Sequence, residues 1–176
     1  MKTKNEILNI LKGVDRAGMT ALIKFLESSD FFTAPASSKF HLAEEGGLAK
    51  HSLNVYKVLR KLNIYCGVNL HPDSIKICGL LHDTCKIGIY KWSESQEKYL
   101  RDDKFPIGHS EKSIIVLQKF IPLTDEEIIL IRWHMGAYDE SLSRNQNHIQ
   151  THYPFYKLLY FADDISTQFF EEDKND

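Results

Sequence analysis

Apolar residues recur every three or four positions through most of the chain, which predicts amphipathic helices. Two N-terminal helices are expected within residues 1–30, and Thr3 with Glu6 has the form of a capping box ahead of the first. The same spacing predicts helices over about 17–28, 48–64, 73–83, 109–120, 124–135 and 153–170, with a second capping box at Thr124 and Glu127.

Three segments depart from this helical pattern. Residues 31–47 contain Pro35 and a Gly-Gly pair, which predicts a loop. Residues 84–107 contain IYKW and KYLRDDKF separated by polar residues, which predicts a small two-stranded hairpin. The final EEDKND, residues 171–176, is expected to be a solvated tail. Because no repeat or linker divides the chain, a single domain over residues 1–176 is predicted.

Composition narrows the class of protein. Hydrophobic residues make up 43% and charged residues 26% of the chain, which is typical of a globular domain. A net charge of -2 predicts no general attraction to nucleic acid or anionic lipid. The chain contains no signal-peptide pattern and no apolar run long enough to span a membrane. Three cysteines without a CxxC pair argue against a disulfide framework, so a cytoplasmic protein is expected.

Histidines and acids occupy positions on or beside the predicted inner faces of five helices. A buried imidazole or carboxylate is costly unless it is paired or coordinated. Each of these residues taken singly could be a satisfied core or surface residue, and one of Asp163 and Asp164 must point elsewhere. Together they predict a metal site of imidazole and carboxylate ligands, suited to Fe, Mn, Zn, Co or Ni. The candidate ligands are His51, His82, Asp83, His109, His134 and Asp163.

The sequence context of these residues resembles a known superfamily. GGLAKHSLNV, LLHDTCKIG and FADDIS resemble the GGLxxHS/T, LLHDxxK and ADxLS segments of the HD-domain metal-dependent phosphohydrolases, and the likeness covers roughly residues 36–167. The chain is also similar to small HD proteins of phages and prophages. The resemblance implies an all-α helical bundle, into which the hairpin is inserted. It also implies a divalent metal held by His51, His82, Asp83 and Asp163.

Two further histidines bear on the number of ions. His109 in GHSEKS and His134 in IRWHMGAYD resemble the additional ligands of superfamily members that bind two metals, in which Asp83 would bridge the ions. The alternative is a single ion, with His109 and His134 contacting phosphate. The resemblance thus implies one or two divalent ions, and the candidate metals are Fe, Mn, Zn, Co, Ni and Mg.

Three side chains are candidates for binding substrate. Lys86 matches the lysine of the HDxxK segment and would stabilise charge on the scissile phosphate; the alternative is a lysine that complements a helix dipole. His41 resembles a histidine ahead of GGL in HD-type exonucleases, and could equally be an exposed loop residue. Arg132 is a candidate anion ligand without a motif of its own.

The predicted function is metal-dependent phosphohydrolysis by metal-activated water, with Asp83 and Lys86 as the catalytic residues. The expected partner is a phosphorylated small molecule, a nucleotide or a small phosphodiester. One alternative is a 3′ to 5′ exonuclease on single-stranded nucleic acid, which the acidic balance disfavours. Another is a non-catalytic module that senses a nucleotide. The sequence shows no GxSxG elbow or activated cysteine, and it leaves the oligomeric state open.

Overall fold

A computed structural model describes residues 2–171, and within that range the chain is predominantly helical. The all-α class and the small hairpin predicted from the sequence are confirmed. A single domain over residues 1–176 stays a prediction, and residues 172–176 of the predicted tail lie outside the described range. The helices are α1 Lys2–Lys12, α2 Met19–Ser28, α3 Gly47–Tyr65, α4 Pro72–Leu81, α5 His109–Gln118, α6 Asp125–Arg132, α7 Leu142–His152 and α8 Leu158–Ser166.

Helix α3 is the central element, and it packs against both α4 and α8. Its apolar stripe, which includes Leu48, Val55 and Leu59, is fully buried in the main hydrophobic core. Gly79 allows α4 to approach α3 closely, because a Cβ at this position would lie 2.6 Å from the Cα of Tyr56. This close crossing brings the end of α4 to the first turns of α3, where the candidate ligands lie.

The hairpin consists of β1 Tyr90–Ser93 and β2 Lys98–Arg101, which pair antiparallel with Tyr90 opposite Arg101. On one face the rings of Trp92 and Tyr99 pack edge to face, with centroids 5.2 Å apart. Both strands lie inside the predicted range 84–107. No helix of residues 2–171 combines the length and apolar character that crossing a bilayer requires.

Helices α1 and α7 differ from expectation. Thr3 lies inside α1 rather than at its N-cap, so the predicted capping box with Glu6 is wrong. Helix α7 was not predicted, because its sequence LSRNQNHIQTH is largely polar. Only Leu142 and Ile149 of this helix are buried, and two residues seven positions apart do not form a recognisable apolar stripe.

The last predicted helix, over residues 153–170, is shorter than expected. Residues 154–157 form a turn, and α8 is continued by a π-helical turn over Thr167–Glu171. A π-helical turn contains more residues than an α-helical one, so it rotates the side chains that follow. The helical period of residues 153–170 predicts that Phe169 lies on the inner face with Leu159 and Ala162, but Phe169 is exposed. Glu171, expected in the solvated tail, is buried.

A buried ion pair joins the N-terminal region to α6. Both carboxylate oxygens of the fully buried Glu127 accept hydrogen bonds from the Arg16 guanidinium at 2.9 Å, and Oε1 also accepts one from Ser74 Oγ at 2.8 Å. Thr124 and Glu127 form the predicted capping box. Burial alone would raise the pKa of Glu127, but Arg16 and the other donors outweigh it and lower this pKa.

Replacing this carboxylate is expected to destabilise the fold in a pH-dependent way. Because the pKa of Glu127 is lowered by folding, its contribution is present above the unfolded pKa of about 4.3 and is lost as the pH falls. Glu127→Gln should lower the free energy of unfolding near neutral pH by about 2 kcal/mol. Urea denaturation should show this difference narrowing in acid, where the wild-type glutamate is also neutral.

The control is Glu6→Gln, which removes a more exposed carboxylate that pairs with Lys57 at 2.8 Å. Exposed pairs contribute little, so this variant should be nearly as stable as the wild type. Equal stability of Glu127→Gln and wild type near neutral pH would contradict the structural role of the buried pair.

Candidate metal centre

The candidate ligands are brought together by helix ends. His51 lies in the second turn of α3, and α4 ends at Leu81, so that His82 caps it and Asp83 follows in a non-helical conformation. Because the helix ends here, His82 and Asp83 can both reach the same cluster although they are adjacent in sequence. A 3-10 turn over Thr84–Lys86 then brings Lys86 back beside Asp83.

Asp83 is the centre of the cluster and is only 2% exposed. Its Oδ1 lies 2.6 Å from His109 Nε2 and 3.6 Å from His134 Nε2. Its Oδ2 lies 3.6 Å from the Nε2 atoms of both His51 and His82. Four imidazoles, each from a different part of the chain, therefore surround one carboxylate.

Asp163 approaches the cluster from α8. Its Oδ1 lies 3.2 Å from His51 Nε2, whereas the adjacent Asp164 is exposed. Ligand atoms of Asp163, His82 and His134 lie within 4.8 Å of one another. The structure thus brings all six sequence-predicted metal ligands together.

The protonation of two imidazoles leaves a lone pair directed into the cluster. His82 Nδ1 is 3.2 Å from the Gly79 carbonyl oxygen, and His134 Nδ1 is 2.6 Å from that of Ile131. Since a carbonyl can only accept, each Nδ1 carries a proton, and in the neutral ring each Nε2 is an acceptor. Both Nε2 atoms are buried and lack a hydrogen-bond partner among residues 2–171. Such orphaned acceptors beside carboxylates fit a divalent cation.

The geometry offers two overlapping ligand sets. His51, His82 and Asp83 form one, and Asp83, His109 and His134 form the other, each with ligand atoms within 4.8 Å of one another. Asp83 belongs to both because its two oxygens face different imidazoles. This arrangement can accommodate either one ion or a pair that shares Asp83.

The electrostatics of the cluster favour positive charge. Burial would raise the pKa of Asp83, but Lys86 and the neighbouring imidazoles outweigh it and hold this pKa well below its usual range. Burial would lower the pKa of His51, but Asp163 and Glu171 raise it to about 10. Burial dominates at His82 and lowers its pKa to about 3, which keeps that ligand neutral. The ionised carboxylates that stabilise charge on His51 also attract a metal cation.

One contributor was missed by the sequence analysis. Glu171 is only 7% exposed, and its Oε2 accepts a hydrogen bond from His51 Nδ1 at 2.9 Å. Its Oε1 accepts one from Asn54 Nδ2, also at 2.9 Å. The prediction of a solvated tail is wrong at this residue. Glu171 opens the charged run EEDKND, so composition gave no sign of its burial.

A cavity of about 1060 Å³ opens onto the cluster. Lys86 lines it, with Nζ 2.6 Å from Asp83 Oδ2, and so does His41, whose ring centroid is 5.1 Å from that of His51. Two of the three candidates for binding substrate therefore reach the cavity. Its wall also contains the aromatic residues Phe40, Tyr138, Tyr160 and Phe170.

Arg132, the third candidate, is not among the residues that line this cavity. Its guanidinium donates to Asp139 and Ser141, pairs with Glu111 at 2.9 Å and lies 4.2 Å from the Trp133 ring centroid. These contacts pair its charge with two carboxylates and occupy several of its donors. The structure therefore gives no support for the predicted role of Arg132 in binding substrate.

Comparison with known families agrees with this geometry. The HD domain family matches residues 48–167, which is more than half of the chain, and the chain therefore belongs to the HD domain family. This is a family of hydrolases that bind divalent metals and act on phosphate-containing substrates. Comparisons with curated proteins and with solved structures gave no significant match.

Removing a ligand is expected to weaken metal binding without unfolding the protein. His134→Ala should lower the affinity for Mn²⁺ at least about tenfold, because its lone pair faces the cluster. His152→Ala, which removes an exposed imidazole at the end of α7, should bind as the wild type does. Calorimetric titration of the metal-free proteins measures both affinity and stoichiometry.

The stoichiometry separates the two ligand arrangements. Two equivalents of Mn²⁺ in the wild type would support a pair of ions that share Asp83. One equivalent would support a single ion, with His109 and His134 facing phosphate. Equal affinity and stoichiometry of His134→Ala and wild type would contradict the assignment of His134 as a ligand.

Proposed function

We propose that this HD-domain protein hydrolyses the phosphate esters of nucleotides or small phosphodiesters. The observation that supports the proposal is the buried Asp83, surrounded by four imidazoles and next to Lys86 at the base of a cavity. Divalent ions bound in such a site would supply Lewis acidity, which lowers the pKa of a bound water to about 7.

Lys86 is the residue best placed to bind the phosphate. Its ammonium is largely buried and lines the cavity beside Asp83. Burial would lower the pKa of Lys86, but the Asp83 carboxylate outweighs it and raises this pKa, so the side chain stays charged. A fixed positive charge at this position would neutralise the negative charge that develops on phosphate oxygens during hydrolysis.

The chain does not need to supply a nucleophile. Cys85 is the thiol nearest the cluster, with Sγ 3.4 Å from His109 Nδ1. Burial raises the pKa of Cys85 to about 12, so the thiol stays protonated and unreactive near neutral pH. This supports attack by water rather than a covalent intermediate on cysteine.

The wall of the cavity supports a nucleotide as the substrate. Phe40 is 72% exposed and Tyr138 is 83% exposed, although both are large aromatic residues and line the same cavity. Exposed rings beside a phosphate site can stack on a nucleobase. The volume of about 1060 Å³ is at the upper end of the usual range for small-molecule sites.

Replacing Lys86 should slow the reaction without releasing the metal. For Lys86→Ala with bis(p-nitrophenyl) phosphate, kcat is expected to fall about 100-fold, because a charge that stabilises the transition state is lost. The metal content should be unchanged. Lys91→Ala removes an exposed lysine of the hairpin and serves as the control. Unchanged kcat in Lys86→Ala would contradict a catalytic role, and loss of metal would indicate a structural one.

Removing the exposed rings should affect nucleotides selectively. Phe40→Ala and Tyr138→Ala are each expected to raise KM for a nucleotide about tenfold, the equivalent of about 1.4 kcal/mol of stacking, with little change in kcat. Ribose 5-phosphate, which has no base, should show no such change. Tyr65→Ala is the matched control, since Tyr65 is exposed but does not line the cavity. Equal effects on both substrates would contradict a base subsite.

A substrate screen distinguishes the proposal from the two alternatives. Hydrolysis of nucleotides or dinucleotides by the metal-loaded protein supports it. Degradation of single strands, with binding that weakens steeply as salt rises, would instead favour an exonuclease. Nucleotide binding without turnover would favour a sensing module.

A further inference from the structure

The Glu171 carboxylate lies behind one of the proposed metal ligands. Glu171 Oε2 accepts a hydrogen bond from His51 Nδ1, and the opposite nitrogen of the same ring, Nε2, lies 3.2 Å from Asp163. We infer that Glu171 is a positioning residue that orients the His51 ring toward the metal site. This inference rests on the proposed function, in which His51 binds a divalent ion.

Helix geometry explains why His51 needs an acceptor from outside its own helix. The last four carbonyl groups of an α-helix have no partner within the helix. His82 follows α4 and donates to Gly79, and His134 follows α6 and donates to Ile131, so each ring uses a carbonyl three residues earlier. His51 lies near the start of α3, where the carbonyls accept from the next turn. An acceptor for its Nδ1 proton must therefore come from elsewhere.

The orientation of the Glu171 carboxylate is fixed by burial and by two hydrogen bonds. Its side chain is fully buried, and its second oxygen accepts a hydrogen bond from Asn54, one turn beyond His51 on α3. Two donors from the same helix thus hold one carboxylate in a single orientation. A carboxylate also makes the imidazole a stronger ligand than a neutral acceptor does, because it favours positive charge on the ring.

The same contact connects the metal site to the wall of the cavity. Glu171 ends the π-helical turn that begins at Thr167, and Thr167, Gln168 and Phe170 of this turn line the cavity. Docking of the carboxylate on α3 therefore places these residues. Metal binding through His51 and ordering of this wall should be coupled.

The first measurement is the affinity for Zn²⁺ by competition with a chromophoric chelator. Glu171→Ala is expected to bind about 10–100-fold more weakly than the wild type, the usual effect of removing a partner that orients a ligand. Glu171→Gln should lose less affinity, because its amide oxygen still accepts from Nδ1 but carries no charge. The control is Asp164→Asn, which removes an exposed carboxylate at the same cavity and should not change the affinity.

The second measurement is nitrogen-15 NMR of the histidine rings in the Zn²⁺-loaded proteins. The Nδ1 proton signal of His51 should shift in Glu171→Gln and be lost to exchange in Glu171→Ala. The corresponding signals of His82 and His134 should stay in place, because their acceptors are backbone carbonyls. A residue that only stabilised the fold would not change the His51 signal selectively.

The outcomes separate this inference from the proposed function. If the wild type binds no Zn²⁺, the proposed function fails, and this inference fails with it. If the wild type binds Zn²⁺ but the Glu171 variants show unchanged affinity and an unchanged His51 signal, this inference alone is overturned. Should Glu171→Ala fail to fold, the near-isosteric Glu171→Gln carries the test through its affinity and its NMR shift.

Discussion

The ionised carboxylate of Asp83 is buried, and the positive and polar groups around it offset the free energy that this burial costs. A buried carboxylate without partners would be protonated, but Lys86 and the imidazoles keep Asp83 ionised. To supply these partners, α4 must end just before His82 and must cross α3 closely enough to meet His51. The close contact at Gly79 permits that crossing.

The imidazoles are oriented in two different ways. His82 and His134 follow helix ends and use the carbonyls that those ends leave free, so their orientation follows from the chain's own local geometry. His51 lies within a helix and relies on Glu171, which ends the π-helical turn after α8. The first arrangement depends on where the helices end, whereas the second depends on the packing of α8 and its π-helical extension against α3.

Much of the site could be predicted because its residues carry strong local signals. The His82-Asp83 pair stands inside an otherwise apolar segment. His51 lies on an apolar stripe with a clear helical period, and Asp163 lies beside another. Other parts could not be predicted in this way. Helix α7 has too few buried residues to show a period, and the π-helical turn changes the phase of the side chains, which misplaced Phe169 and Glu171. The carboxylates that pair with Arg132, those of Glu111 and Asp139, are identified only by the tertiary structure.

By itself, the sequence determined the helical class, the position of the hairpin, and Asp83 with the five residues that converge around it. These follow from periodicity and from short motifs, which are properties of neighbouring residues. The tertiary structure decided which charges are paired, which aromatic rings line the cavity, and that Glu171 supports His51. Such contacts join residues as far as 120 positions apart, and their formation depends on helix packing that no local pattern encodes.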